Sequence, residues 1–164
     1  MDGVGSVEAL DGVVVLVGVK DRARTRDFLR AQKAASLTPT ARDDGGGGLS
    51  NSEARMKIYQ LALEVVASVY RLAAEVQPRD KDLASQMRRA CASMVLNLAE
   101  GMYSQGGRKV SRYFDSMGSA RETMACLHVC VAARMLAQAK VDADLVRLDR
   151  IIAGLYRLCH KRSA

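Results

Sequence analysis

Residues 50–76 read SNSEARMKIYQLALEVVASVYRLAAEV, and their apolar side chains recur at steps of three and four residues. That spacing places the apolar side chains on one face of an α-helix. Ser50 and Glu53 form a capping box, in which each side chain satisfies a free backbone N–H at the helix start. Pro78 is expected to end the helix near Gln77. The expected inward positions of this helix are Ile58, Leu61, Val65, Val69, Leu72 and Val76.

Three further segments repeat this helical pattern. Asp80 is a predicted N-cap for the second helix, and Gly101, Gly106 and Gly107 are expected to bracket its end and the next turn. A longer third helix follows, and Asp142 is predicted to cap the fourth. Four such helices with short connections predict an all-α fold, an antiparallel up-down-up-down four-helix bundle. The expected inward positions are Leu83, Met87, Ala90, Met94, Leu98, Val110, Tyr113, Phe114, Met117, Met124, Leu127, Val131, Met135, Leu145, Leu148, Ile152, Leu155 and Cys159.

The composition is that of one ordinary domain. The chain has 164 residues, of which 49% are hydrophobic, so aliphatic side chains and Met must fill a core that has few aromatic residues. No apolar run approaches the roughly 20 residues of a membrane span, and two Pro argue against a Pro-rich disordered chain. The net charge of +7 belongs entirely to residues 51–164, because residues 1–50 hold seven charges of each sign. An acidic partner is compatible with this charge but not implied by it.

The first 49 residues differ in character from the rest. Residues 38–48 end in four consecutive Gly, which favours a flexible linker. Residues 13–19 read VVVLVGV and are long enough for one strand, for which no partner strand is predicted. Acidic residues before that run oppose a secretory signal. We therefore predict a poorly ordered N-terminal extension and linker over residues 1–49 and the bundle over residues 50–164, with a functional arm as the alternative.

A combination of small and polar residues marks the second and third helices. Residues 85–101 read SQMRRACASMVLNLAEG and residues 118–122 read GSARE. Together they resemble the bacterial four-helix-bundle family of 23S rRNA intervening-sequence proteins, over about residues 55–160. The resemblance implies a cytoplasmic homopentamer without an established catalytic activity. It also implies a fold similar to the accessory proteins of diversity-generating retroelements, which bind a reverse transcriptase and nucleic acid. The matching positions are Ser85, Arg88, Arg89, Ala90, Ser93, Asn97, Ala99, Glu100, Gly101, Gly118, Ser119 and Glu122.

These positions predict a structural polar seam between the second and third helices. The two helices run antiparallel about a corner near residues 104–107, and Gly118 would let them approach closely. An ion pair would close each end of the seam. A partner-binding groove is the functional alternative. The expected facing pairs are Arg89 with Glu122, Ser93 with Gly118, and Glu100 with Arg112, and the whole seam comprises Arg88, Arg89, Ser93, Asn97, Glu100, Arg112, Gly118, Ser119 and Glu122.

Two groups of cations are candidates for nucleic-acid contact. One group shares a face of the fourth helix, where a row of cations could follow a phosphate backbone. Asp149 weakens its field, and no aromatic residue interleaves with the row to stack bases. The other group opens the third helix, where the helix dipole disfavours cations. A solvated outer face is the alternative. The candidates are Arg147, Arg150, Arg157 and Lys161 in the first group, and Arg108 and Lys109 in the second.

A second apolar stripe on the first helix is a candidate oligomer interface. Its residues flank the core row, and a monomeric bundle would leave them in contact with water. The stripe consists of Tyr59, Leu63, Val66 and Tyr70.

Catalytic and metal-binding signals are weak. Cys126, His128 and Cys130 read C-x-H-x-C, but a helix turns His128 away from both cysteines, so we expect reduced core thiols and no metal site. The paired carboxylates Glu100 and Glu122 lie on different helices, and we expect no enzyme and no cofactor. The first functional hypothesis is a non-enzymatic homo-oligomeric assembly or adaptor protein. The alternative is a basic RNA- or DNA-binding accessory protein, associated with a reverse transcriptase or with ribosomal RNA.

Overall fold

The computed structural model describes residues 7–10, 13–16 and 51–160. Contacts between residues divide the chain into two units, 1–41 and 42–164, and the division falls within the predicted linker segment. The prediction that the extension is poorly ordered falls on residues outside the described ones. Ser50 of the predicted capping box also lies outside them. The boundary between residues 49 and 50 stays a prediction.

The first unit contains a two-stranded antiparallel pairing. β1 (Val7–Leu10) pairs with β2 (Val13–Leu16), and Val7 lies opposite Leu16 while Leu10 lies opposite Val13. The sequence predicted a strand here but no partner for it. The overlooked signal is the Asp11-Gly12 dipeptide between the strands, because this pair of residues favours a tight two-residue hairpin.

The second unit contains the four predicted helices. They are α1 (Asn51–Val76), α2 (Lys81–Tyr103), α3 (Gly106–Ala132) and α4 (Gln138–His160). Each helix packs on the next, and α4 packs back on α1. Because short connections join successive helices, neighbours run antiparallel, and the predicted up-down-up-down bundle is confirmed. No helix in the described part of the chain has the length and apolar character that a membrane crossing requires.

Aliphatic and sulfur-containing side chains fill the bundle core. The row predicted for α2 lies inward, and Tyr113 is the largest fully buried side chain. Phe114 was expected inward as well, but 48% of it is exposed, so that prediction is wrong. Among the buried apolar residues are Val65, Val69, Val76, Met87, Ala90, Met94, Leu98, Met117, Leu127, Leu148, Ile151 and Leu155.

The helix ends follow the sequence signals only in part. Asp80 caps α2 as predicted, since its side chain accepts a hydrogen bond from the Leu83 N–H at 2.8 Å. Asp142 does not cap α4, because the helix begins earlier, at Gln138. Within the first turns of α4 the Gln138 amide donates to the Asp142 carboxylate at 2.6 Å. The prediction of an Asp142 cap is therefore wrong.

Gly101 is a packing glycine rather than a helix terminator. α2 continues past it to Tyr103. A Cβ atom at residue 101 would lie 2.5 Å from Cε1 and 2.6 Å from Cδ1 of Tyr113. The absence of a side chain at Gly101 therefore makes room for the buried tyrosine ring of α3.

Candidate functional site

One end of the polar seam is an ion pair between α2 and α3. Arg112 Nε lies 2.8 Å from Glu100 Oε2, which confirms this predicted pair. The same guanidinium donates to Asn97 Oδ1 at 3.3 Å and lies 3.6 Å from Asp115. Both charged side chains are about two-fifths exposed, so water screens their attraction.

The middle of the seam is shifted by one residue from the predicted register. Ser119 Oγ donates to Ser93 Oγ at 3.1 Å, and Asn97 Nδ2 donates to the same Ser93 oxygen at 3.2 Å. Gly118 is exposed, and a Cβ atom there would meet nothing within 4 Å. The expected close approach at Gly118 is therefore wrong. Ser116, which is buried, makes the close contact instead by donating to the Met94 carbonyl at 2.8 Å.

At the far end of the seam Arg89 and Glu122 do not form the predicted ion pair. Arg89 Nη2 donates to Gln86 Oε1 at 2.6 Å, and Gln86 Nε2 donates to Glu122 Oε1. Gln86 thus bridges the two charges. The sequence signal for Gln86 was its position three residues before Arg89, which places both on one helix face.

Arg88 lies outside the seam, although the sequence predicted it within. Its Nη1 donates to Gln77 Oε1 at 3.2 Å, at the end of α1. Burial raises the pKa of the neighbouring Tyr70, and the charge of Arg88 opposes that shift. Arg88 therefore joins α2 to the end of α1 rather than to α3.

A buried carboxylate that the sequence did not reveal joins α1 to α4. Asp144 is 1% exposed and accepts a hydrogen bond from Ser68 Oγ at 2.6 Å. Arg147 lies 3.2 Å from the other oxygen of Asp144 and 3.3 Å from Glu64. Arg147 is thus half-buried and paired with two acids. Its guanidinium is therefore engaged within the fold, and its assignment as a nucleic-acid contact stays a prediction.

Three of the four thiols of the bundle, those of Cys91, Cys126 and Cys130, are buried in its core. Burial raises the pKa of Cys91 far above its ordinary value, and the nearby Asp144 charge adds to the shift. Cys126 and Cys130 are buried, whereas His128 is exposed, so the three side chains do not converge. Cys130 Sγ contacts Met87 Sδ at 3.7 Å. A neutral buried thiol is a poor nucleophile and a poor metal ligand.

Two of the remaining residues of the α4 row are exposed on the helix surface. Arg150 and Arg157 are exposed, and Lys161 lies outside the described residues. Tyr156, next to Arg157, is 54% exposed and stacks on His160 with ring centroids 4.0 Å apart. A helix turns adjacent residues about 100° apart, so Tyr156 lies to one side of the row, and the absence of an aromatic residue interleaved with the row stays a prediction.

A second cationic group gathers where α1 and α3 begin. Burial lowers the pKa of Lys109, and the nearby Arg55 charge lowers it further. Arg108 is exposed beside it. Arg55 also acts on the buried Tyr113, whose pKa is raised by burial and lowered by the guanidinium. We call the group Arg55, Arg108 and Lys109 the basic end.

The candidate interface on α1 is mostly part of the single-chain fold. Val66 is fully buried within the chain, so its assignment to a wet stripe is wrong. Tyr59, Leu63 and Tyr70 are half-buried. Other exposed apolar side chains of the described residues lie on α3 and α4: Val129 is 49% exposed and Val146 is 51% exposed, beside the larger Phe114 and Tyr156 on the same two helices.

Comparison with known proteins agrees with this architecture. The model of the family described as 23S rRNA-intervening sequence protein matches residues 54–157, which covers all four helices. No curated protein and no solved structure matches the chain. The match spans well over half of the sequence and includes both helices of the polar seam. The chain therefore belongs to the 23S rRNA-intervening sequence protein family.

Proposed function

We propose that the protein is a non-enzymatic homo-oligomeric assembly module whose copies associate through the outer face of α3 and α4. The observation that carries this proposal is the half-exposed pair Val129 and Val146. Isolated exposed apolar side chains are common, but a contiguous apolar face on a monomer is not. The proposal therefore depends on whether the two valines share one face.

The ring contact between Phe114 and His160 fixes the register of the two antiparallel helices. Val129 follows Phe114 by fifteen residues, and Val146 precedes His160 by fourteen. At about 1.5 Å per helical residue both valines lie roughly 21–23 Å from the ring contact. They therefore stand at the same level of the helix pair. The other exposed side chains of this face include Ala125, Ala132, Ala143 and Ala153.

Small side chains border the two valines, which lets another helix pair approach them closely. Two exposed charged side chains share this side of the helices: Glu122 of the seam lies seven residues before Val129, and Arg150 lies four residues after Val146. The buried Asp144 cluster faces α1 and does not interrupt this face. The pentameric state comes from the family resemblance and is part of the proposal. An adaptor role would use the same module to hold a partner.

Light scattering on the full chain tests the assembly. We expect a mass several times the 17.8 kDa of one chain. Val129→Glu and Val146→Glu should each lower that mass while the far-UV circular dichroism stays unchanged. Met56→Glu is the matched control, because Met56 is 42% exposed but lies on α1. A single-chain mass for the unmodified protein at micromolar concentration refutes the proposal, and equal effects of all three variants refute the assigned face.

The basic end supports a second function, contact with nucleic acid. Burial and a like-charged neighbour both disfavour the charged form of Lys109, and a bound phosphate would offset that cost. Each phosphate that the protein no longer neutralises should lower the dependence of log affinity on log salt by about 0.7 for a single strand. An accessory role beside a reverse transcriptase or ribosomal RNA, which the resemblance implies, stays a prediction.

A salt titration of binding to a fluorescein-labelled oligonucleotide tests this second function. Substituting Gln for Arg108 and Lys109 together should weaken binding and lower the salt slope. Arg71→Gln is the control, since Arg71 is exposed but lies far along α1 from the basic end. Absence of binding, or binding that is independent of salt, refutes nucleic-acid contact.

A further inference from the structure

Three rings form an exposed cluster where α3 and α4 meet near the basic end. Tyr156 and His160 stack with an interplanar angle of 25°, and Phe114 meets His160 edge-on with centroids 6.1 Å apart. His160 Nδ1 lies 2.9 Å from the Tyr156 carbonyl oxygen, which holds the imidazole ring in place. We call Phe114, Tyr156 and His160 the ring cluster.

The ring cluster is a preformed surface rather than an edge of the core. Phe114 is 48% and Tyr156 is 54% exposed, although the chain has only two Phe and five Tyr. Contacts among the rings restrict their rotation while leaving aromatic surface in water. Such a surface can accept a flat apolar ligand with little further loss of side-chain entropy.

Cations lie near the ring cluster along both helices. Arg157 follows Tyr156 directly, and its Nε donates to the Ala153 carbonyl at 3.2 Å, which leaves both terminal nitrogens available. On α3, Arg108 and Lys109 precede Phe114 by six and five residues. That spacing corresponds to roughly 8–9 Å along the helix axis, about the span of two to three nucleotides of one strand. Because a helix turns residues five and six apart onto different sides, a strand that contacts both the rings and the basic end would cross the beginning of α3.

We propose that the ring cluster stacks unpaired bases, so that this end of the bundle binds single-stranded nucleic acid in preference to a duplex. The inference rests on the proposed nucleic-acid contact and adds its substrate class. Aromatic side chains stack on bases of any sequence, while nearby cations hold the backbone. In a duplex the faces of the bases are already stacked on one another, so only the cations of the basic end can contribute.

Fluorescence anisotropy with the full chain tests the preference. The probes are labelled twelve-nucleotide oligo-uridine and oligo-thymidine strands, which lack stable internal pairing, and a twelve-base-pair DNA duplex. Tyr156→Ala should weaken binding of the single strands by about 5-fold to 140-fold, the range expected when one base loses its stacking partner. Duplex binding should change by less than about 2-fold. Tyr156→Phe is the matched control and should retain single-strand binding, because it keeps the ring.

The other outcomes distinguish base stacking by the ring cluster from nucleic-acid contact by the basic end, on which the stacking proposal rests. Salt-dependent binding that Tyr156→Ala leaves unchanged refutes stacking and leaves nucleic-acid contact standing. Equal affinity for strand and duplex also refutes stacking. Absence of binding to every probe refutes both proposals. If Tyr156→Ala instead lowers the mass measured by light scattering, a second copy of the chain covers the ring cluster, and the stacking proposal is overturned. His160→Ala, at a residue that is also exposed, should likewise weaken single-strand binding more than duplex binding, and unchanged single-strand binding in this variant also refutes stacking.

Discussion

Replacing Gly101 with Ala should destabilise the bundle, even though Ala is the better helix former. The added Cβ would lie 2.5 Å and 2.6 Å from two ring carbons of Tyr113 and 3.3 Å from Arg112 Cβ. Carbon atoms pack favourably at about 3.5–4.0 Å, so the ring would have to move by roughly 1 Å. Tyr113 is fully buried, and its neighbours would have to move with it.

Gly→Ala substitutions at two other helical glycines serve as references for the free energy of unfolding of Gly101→Ala. At exposed Gly118 an added Cβ meets nothing within 4 Å, so Gly118→Ala should stabilise the helix by about 1 kcal/mol. The same gain in helix propensity applies at Gly101 and cancels in the comparison. The difference between the two variants is therefore the overpacking cost alone, about 1–3 kcal/mol. Gly154→Ala should fall between them, because its Cβ would lie 2.7 Å from the movable end of the Ile58 side chain.

Denaturant unfolding followed by far-UV circular dichroism measures the three free energies. All variants must be compared at one protomer concentration, since assembly would couple stability to concentration. The slope with denaturant should stay constant while the midpoint moves. If Gly101→Ala and Gly118→Ala differ by less than about 0.5 kcal/mol, the packing role assigned to Gly101 is wrong.

Three further predictions concern the polar and thiol groups. A double-mutant cycle on Glu100 and Arg112 should give a coupling of about 0.2–1 kcal/mol, because both are partly exposed, and strictly additive losses would show that the pair contributes nothing. Asp144→Ala should cost at least about 1–3 kcal/mol in chemical denaturation, since it leaves the Ser68 hydroxyl without its acceptor, and a loss under about 0.5 kcal/mol would contradict that role. Folding raises the pKa of Cys91 above its ordinary 9.0, so above that pH the unfolded chain loses the proton first. The free energy of unfolding should therefore fall as pH rises beyond 9.0, and less steeply in Cys91→Ala; an unchanged slope in the variant would assign the fall to other groups.

The helices could be predicted because their signals are local. The three-to-four spacing of apolar residues survives in the buried row of α2, and Asp80 caps that helix through its own side chain. The start of α4 could not be predicted in the same way. Its first turn contains no acidic residue, and contacts distant in sequence hold this corner: Arg79 donates to the Met135 carbonyl at 2.8 Å, and Lys140 pairs with Glu75. Tertiary packing thus starts α4 at Gln138, ahead of Asp142, whose carboxylate would be the better helix cap.

The polar seam shows which part of a helix pairing the sequence determines. A short corner fixes how far two antiparallel helices slide, and the ion pair between Glu100 and Arg112 appears at its predicted level. Rotation of α3 about its axis is a separate variable. One residue corresponds to about 100° of rotation, and this difference places Ser119 rather than Gly118 against Ser93. Neither the identity of the facing residue nor the bridge through Gln86 follows from spacing alone.

The exposure of Phe114 depends on which of two adjacent aromatic residues packs into the bundle core. Tyr113 and Phe114 are adjacent, so a helix turns them about 100° apart and both cannot point fully into the core. Gly101 leaves space for a ring opposite residue 113, and Tyr113 fills it. Phe114 is then directed outward, where it meets His160 of α4. Periodicity treats both aromatics as core residues, because it does not register that a glycine on another helix selects one of them. The outward position of Phe114 therefore depends on Gly101, the family-motif glycine that makes room for Tyr113. The surface proposed to stack bases depends on the same glycine.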